Sequence, residues 1–214
     1  MVNELIKFEN EIGDLFNAGK IKAPIHLYHG NEEKMIEVFR QIDVENDWVC
    51  CTWRNHYQGL LKGIPKDLMR DEIVKGKSMV MSFPEFKFIC SSIVGGIPSV
   101  ATGLALGEKL SKTENHVWCW VGDMSAETGA FHEAYKYARN HKLPITFIIE
   151  NNGLSVLTPT DDIWGRTIPY YIDDVKTFKV NMGNKSIYKQ PNLLYYQYTN
   201  NKYPHAGAGS RVQF

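Results

Sequence analysis

The 214 residues include 24 basic and 24 acidic side chains, for a formal net charge of zero, and 43% are hydrophobic and 22% charged. This is the composition of an ordinary globular chain, which excludes disordered and fibrous classes. Charge balance argues against a dedicated nucleic-acid or membrane-surface binder, since such proteins show a basic excess. The length suits one domain, or at most two small ones, and is enough to bury one substantial core without a disulfide or metal staple.

The N-terminal Met1–Lys7 has neither the basic start nor the apolar stretch of a secretory signal. Helical spacing is expected over about Asn3–Phe16 and Asn31–Ile42, the second with Asn31 as N-cap and Met35, Phe39 and Ile42 on one face. The loop Pro24–Gly30 between them holds His26 and His29. A strand is expected at Trp48–Trp53, followed by a long polar region with scattered glycines from Arg54 to Phe88. A helix opening at Pro98 and running to Lys109 follows, with Ala101, Gly103, Ala105 and Gly107 offering a close approach to another backbone. Cys50, Cys51, Cys90 and Cys119 have no Cys-x-x-Cys spacing and read as buried thiols of a reducing compartment, hence a cytoplasmic protein. The longest apolar runs are strand-length, far short of the ~20 residues of a membrane span.

From Val117 to Asn152 the pattern is clearest. Val117–Val121 is an apolar, β-branched and aromatic run, so a buried strand. Gly129–Lys142 sets Phe131, Ala134, Tyr135 and Ala138 on one helical face, and Pro144 stops it. Ile145–Ile149 is a second buried strand, ending at Glu150-Asn151-Asn152. A β-α-β unit makes these strands parallel with a right-handed crossover. The expected fold is therefore α/β, with a doubly wound, mostly parallel sheet and helices on both faces.

That unit also predicts a site. Asp123 and Asn152 both follow carboxyl ends of parallel strands, the edge where open α/β sheets bind ligands. If the strands are neighbours or one apart, their tips lie about 5–10 Å from one another. A carboxylate, an amide oxygen and a loop carbonyl near Leu154 form a hard-oxygen set suited to Mg²⁺ or Ca²⁺, and Mg²⁺ completes its shell with water and phosphate. The next helix is expected to present its amino end to the same place. Gly-Asp and Asn-Asn-Gly are also ordinary turn chemistry, and it is their placement on consecutive parallel strands that favours a ligand.

Gly122-Asp123 followed by Asn151-Asn152 resembles the thiamine diphosphate-binding motif, Gly-Asp-Gly with a double Asn about thirty residues later. Trp120–Asp123, Gly129–Ala134, Leu143-Pro144 and Glu150–Asn152 are similar to the alpha subunit of the thiamine-dependent 2-oxo acid dehydrogenases. His26–Glu33 and Thr52–His56 resemble that family's Gly-Gln-Glu-Ala and Tyr-Arg-x-His segments, and Gly76–Met79 and Ile93–Gly96 fall in the family's order. The likeness covers about residues 20–160.

The resemblance implies thiamine diphosphate and Mg²⁺ as cofactors in a PP-type, diphosphate-binding domain. Asp123, Asn152 and the Leu154 carbonyl would ligate the metal. Gly122, Met124 and Ser125 would line the diphosphate, Arg54 would meet one of its oxygens with Trp53 alongside, and Ser92 and Val94 would approach the aminopyrimidine. His29, His56 and His205 become candidate catalytic residues on the substrate side; His132 and Glu133 read as helix surface. Three positions depart from the family: Met124 replaces the motif's last Gly, Trp53 a Tyr, and Val80 the His after Ser-Met.

The expected organisation is one domain over residues 1–214, with an N-terminal helical extension to about 45 and an irregular tail over about 196–214, mobile at Gly207–Arg211. Arg70, Lys75 and Lys77 read as a solvated face. The expected function is that of an alpha-type subunit acting on a 2-oxo acid, with a beta-type partner in an α2β2 heterotetramer needed for ylid formation, because 214 residues leave no room for a second cofactor-binding half. A split transketolase-like or acyloin-type carboligase subunit, or a non-catalytic cofactor-binding subunit, are the alternatives; Met124 and Val80 motivate the last.

Overall fold

The computed structural model describes residues 1–165, 178–182, 185–200 and 202–209. Two compact units are present, Met1–Ser92 with Thr199–Phe214, and Ile93–Tyr198.

In the first unit, α1 (Val2–Asn17) buries Leu5, Phe8, Ile12 and Phe16 at three-and-four spacing. Glu9 lies inside that same stripe and is wholly buried. Helix α2 (Glu32–Phe39) stops short of Ile42. Asn31 holds the N-cap position without a side-chain capping bond, and the Glu32 carboxylate instead accepts the Gly30 N–H at 3.0 Å. Gly30 has φ +91°, and a Cβ there would lie 2.3 Å from the Thr199 carbonyl oxygen, so handedness and space both demand glycine.

Strand β1 (Trp48–Cys51) is followed by α3 (His56–Leu61), α4 (Lys66–Val74), β2 (Ser82–Phe83) and β3 (Phe88–Cys90). The long polar region from Arg54 to Phe88 thus contains two helices. Their brevity hides the period, and two of the scattered glycines are their stops: Gly63 and Gly76 adopt φ +91° and +84° just past the helix ends. β1 pairs in parallel with β3 in the register Val49↔Phe88, and β2 pairs antiparallel with β3. Residues 202–209 return to this unit, where the Gly207 N–H donates to the Ile25 carbonyl at 2.8 Å and His26 bridges Gly207. The tail expected to be mobile is therefore pinned as far as Gly207; Ser210 and Arg211 lie outside the described residues.

The second unit opens with α5 (Gly96–Ser111), two residues before Pro98, because Gly95 at φ +72° supplies the N-cap turn. Ala101 and Ala105 are buried, whereas Gly103 and Gly107 face open space, so these glycines do not make the expected close backbone contact. Then follow β4 (Val117–Gly122), α6 (Asp123–Ala126), α7 (Gly129–Asn140) and β5 (Ile145–Asn151). The short hairpin β6 (Leu154–Ser155) and β7 (Thr158–Pro159) leads to α8 (Thr160–Trp164), and β8 (Phe178–Met182), β9 (Lys185–Gln190) and β10 (Leu193–Gln197) complete the unit. Tyr196 and Gln197 therefore belong to a strand.

The strand order is β4-β5-β10-β9-β8. β4, β5 and β10 are parallel neighbours, and β9 and β8 continue antiparallel. Val117 to Val121 are all buried, and Phe131 from α7 meets Phe147 from β5 edge-to-face at 5.4 Å. Burying each such ring contributes about 1.5–3 kcal/mol, which seats α7 against the sheet. The Thr128 side chain accepts the Phe131 N–H at 3.3 Å and so caps α7. The expected class, α/β with a mostly parallel sheet, holds. All four cysteines are buried, and burial pushes the Cys90 thiol up to about 12.

Candidate functional site

In the second unit, β4 and β5 are direct neighbours with Gly122 opposite Glu150. The chain therefore leaves both strands at one edge, at Asp123 and at Asn151-Asn152. Asp123 is the first residue of α6 and its side chain is buried. The two asparagines divide the work. Asn151 is an anchor: its amide donates to the Tyr195 hydroxyl at 2.8 Å, its side-chain oxygen accepts the Gly153 N–H at 2.7 Å, and its carbonyl accepts the Tyr198 N–H at 2.9 Å. Asn152 is more open, and its Oδ1 accepts the Leu154 N–H at 3.1 Å. An amide oxygen has a second lone pair, so this turn leaves it able to ligate. Burial pushes the Tyr195 phenol up to about 12, the Asp123 charge adding to the shift.

One carboxylate with amide and main-chain oxygens fits a hard divalent cation that also takes phosphate oxygens. Among the described residues no three His, Cys, Asp or Glu side chains gather as a cage. The expected helix amino end is corrected: the one-turn α6 intervenes, and α7 starts only at Gly129 with Thr128 as its cap. Met124 and Ser125 lie in α6, and the Met124 sulfur accepts the Trp164 indole N–H at 3.2 Å. Val94 is 57% exposed, just before the Gly95 turn.

In the first unit, Trp53 and Arg54 follow β1. The Tyr28 hydroxyl donates to the Arg54 carbonyl at 3.0 Å and itself accepts from the Gln58 amide at 2.6 Å, fixing the Arg54 backbone. The Arg54 guanidinium reaches the His205 carbonyl at 3.4 Å and lies over the Tyr28 ring at 5.7 Å. His26 packs edge-on against His205 at 4.8 Å and tilted against Trp53 at 5.9 Å. Arg54, Trp53, His205 and His26 thus converge. Ser92 is half-buried after β3.

Residues 1–182 match the profile of the family described as "Dehydrogenase E1 component". The chain belongs to that family. It is 32% identical over 166 residues to the alpha subunit of the acetoin:2,6-dichlorophenolindophenol oxidoreductase of Bacillus subtilis (strain 168), covering 73% of this chain and 50% of the relative. The pyruvate dehydrogenase E1 component alpha subunits of Rickettsia prowazekii (strain Madrid E) and Zymomonas mobilis subsp. mobilis (strain ATCC 31821 / ZM4 / CP4) are 32% and 33% identical, covering 72% and 71% of this chain and 50% and 46% of their own. The chain spans about half the length of the curated relatives it matches, so its 214 residues carry no argument about a partner.

Within this dehydrogenase E1 component chain, His56 is the expected candidate catalytic residue whose surroundings are the most completely defined. It is wholly buried, its Nδ1 is 2.8 Å from a Glu9 carboxylate oxygen and its Nε2 is 2.9 Å from the Ser78 hydroxyl. Glu9 also accepts the Tyr28 N–H at 2.9 Å, and the Asn55 amide donates to the Ser78 carbonyl at 2.8 Å. This relay ties α1 and the 78–80 turn to α3, the geometry of a positioning group. His29 is half-buried near Tyr203, at 6.5 Å between ring centroids. Val80 is 51% exposed. Arg70 pairs with Glu11 and Asp67, and Lys75 and Lys77 with Glu72, a solvated face as expected.

Glu9 and His26 were missed by sequence reasoning. Glu9 had a signal, a carboxylate at an apolar-stripe position of α1, whereas nothing in the spacing connects His26 to His205. Burial, then the charges of Arg54, His205 and His56, hold the His26 imidazole at about 3. Burial and then Arg54 lower His205 as well. A base held neutral in the fold is protonated first in the unfolded chain, near its ordinary value of about 6.5. The contribution is therefore complete above about pH 6.5 and drains as pH falls toward about 3, at up to about 1.4 kcal/mol per pH unit. Urea unfolding at pH 7 and pH 5 is expected to show a loss of about 2 kcal/mol that His26→Gln reduces; an identical loss in the variant would assign it elsewhere.

Proposed function

We propose that this chain is the diphosphate-binding, alpha-type part of a thiamine diphosphate-dependent enzyme that acts on a 2-oxo acid. The observation that carries the reading is the placement of Asp123 and Asn152 just beyond the carboxyl ends of the neighbouring parallel strands β4 and β5. Asp123, Asn152 and the Leu154 carbonyl hold Mg²⁺ in this reading, and the α6 backbone around Gly122, Met124 and Ser125 faces the diphosphate. For Trp53, Arg54, Ser92, Val94, His29 and His205 the proposed roles rest on the family resemblance alone. Thiamine diphosphate supplies the carbanion-stabilising chemistry when bound. The chain's own contribution is to hold, through Asp123 and the hydrogen-bonded turn at Asn151, the cation that would neutralise and orient the diphosphate.

Residues 1–214 form one PP-type domain in this proposal, with a beta-type subunit in an α2β2 assembly completing the site. Four buried cysteines support a cytoplasmic setting; among the described residues no helix is long and apolar enough to cross a membrane. The naming of one relative for acetoin and of others for pyruvate leaves two substrate classes in play. Copurification from the host, followed by dye reduction with pyruvate or acetoin in the presence of Mg²⁺ and thiamine diphosphate, decides between them. Pyruvate-dependent reduction supports the 2-oxo acid reading, acetoin-dependent reduction an acyloin-cleaving oxidation instead, and acyloin formation without dye reduction the carboligase alternative. Cofactor binding with neither turnover points to the non-catalytic alternative.

A further inference from the structure

The motif expects glycine at position 124, where the backbone must come close to the diphosphate, yet this chain has Met124. The backbone does not object: Met124 is the second residue of α6 and is absent from the residues of positive φ among those described. The remaining obstacle is the side chain, a flexible thioether long enough to lie over the diphosphate face of its own loop. In the structure that side chain has a partner. The Met124 sulfur accepts the Trp164 indole N–H at 3.2 Å. Trp164 is half-exposed, so its ring contributes little to a core. It ends α8, whose first residue donates its N–H to the Gly153 carbonyl at 3.0 Å, directly after Asn152. The segment 153–164 therefore starts directly after Asn152 and closes back on Met124, the residue next to Asp123.

We infer that Trp164 is a positioning residue that draws the Met124 side chain away from the diphosphate face, which allows a methionine at a position that otherwise calls for glycine. The inference rests on the cofactor reading above. It does not require Trp164 to touch the cofactor; it acts through Met124.

The test is a double-mutant cycle in the full chain, with Mg²⁺·thiamine diphosphate titrated calorimetrically. Trp164→Ala is expected to weaken binding about fivefold when Met124 is present, the size of one modest polar contact. In a Met124→Gly background the same change is expected to leave affinity within about twofold, because no side chain remains to hold. Met124→Ala replaces the glycine background if that variant does not fold. Trp164→Phe keeps a ring but loses the donor, and is expected to behave like Trp164→Ala. Without any cofactor, the fluorescence assigned to Trp164, wild type minus Trp164→Phe, is expected to change on Met124→Leu, which keeps the bulk but removes the sulfur. Equal weakening by Trp164→Ala in both backgrounds overturns the inference and leaves the cofactor reading intact. An unchanged Trp164 signal in Met124→Leu also overturns it. A wild-type chain that binds no cofactor overturns the cofactor reading, and the inference with it.

Discussion

Asp123→Asn is expected to abolish Mg²⁺-dependent thiamine diphosphate binding while leaving the fold in place. The substitution is isosteric, so the start of α6 keeps its shape, but the only anionic donor of the proposed metal set is gone. Even partners one shell removed from a metal change affinity by about 10–100-fold, and removal of a directly ligating charge is expected to exceed about a hundredfold. Calorimetry with Mg²⁺ and cofactor measures this, with circular dichroism as the check on folding. A second consequence is independent of the cofactor. The Asp123 charge is one of the influences holding the Tyr195 phenol high, so in Asp123→Asn that phenol is expected to titrate lower. Unchanged cofactor affinity in the variant would remove Asp123 from the metal site, whatever the phenol does.

Glu9→Ala is expected to produce the largest loss of stability. Its carboxylate serves His56 Nδ1 and the Tyr28 N–H, and all of these groups are buried. Truncation leaves two buried polar groups without their acceptor, each worth about 1–3 kcal/mol, so about 3–5 kcal/mol is expected in urea unfolding. In a chain of this size that corresponds to a fall in Tm on the order of 10 °C. Glu9→Gln retains one acceptor oxygen and is expected to recover part of the loss. A Glu9→Ala variant within about 1 kcal/mol of wild type would mean the relay does not hold α1, α3 and the 78–80 turn together.

The legible parts of this protein are those with a local signature. The strand–helix–strand unit announces itself because Val117–Val121 and Ile145–Ile149 are continuous apolar runs and α7 repeats Phe131, Ala134, Tyr135 and Ala138 every three to four residues. Elsewhere the signature fails for particular reasons. α3 has six residues, too few to show a period, and its stop at Gly63 reads as one more loop glycine. α6 is a single turn hidden between Gly122 and Thr128, which is why the expected helix amino end was assigned to α7. Asn31 has the residue type of a cap and the right position, yet Glu32 answers the Gly30 N–H.

The charge-neutral sequence of 214 residues was enough by itself to determine the α/β class, the parallel sense of β4 and β5 and the strand-end positions of Asp123 and Asn152. Each of these follows from side-chain period or short-range spacing, which a linear reading can count. The tertiary structure alone decided that β4 and β5 are direct neighbours, that His56 is locked between Glu9 and Ser78, that His26 meets His205, and that Met124 is held by Trp164. Those pairs join residues far apart in the chain, and no periodic pattern encodes which distant partner will fill a buried hydrogen bond. Partner choice there is set by packing, since a buried polar group must find its complement wherever the fold delivers one.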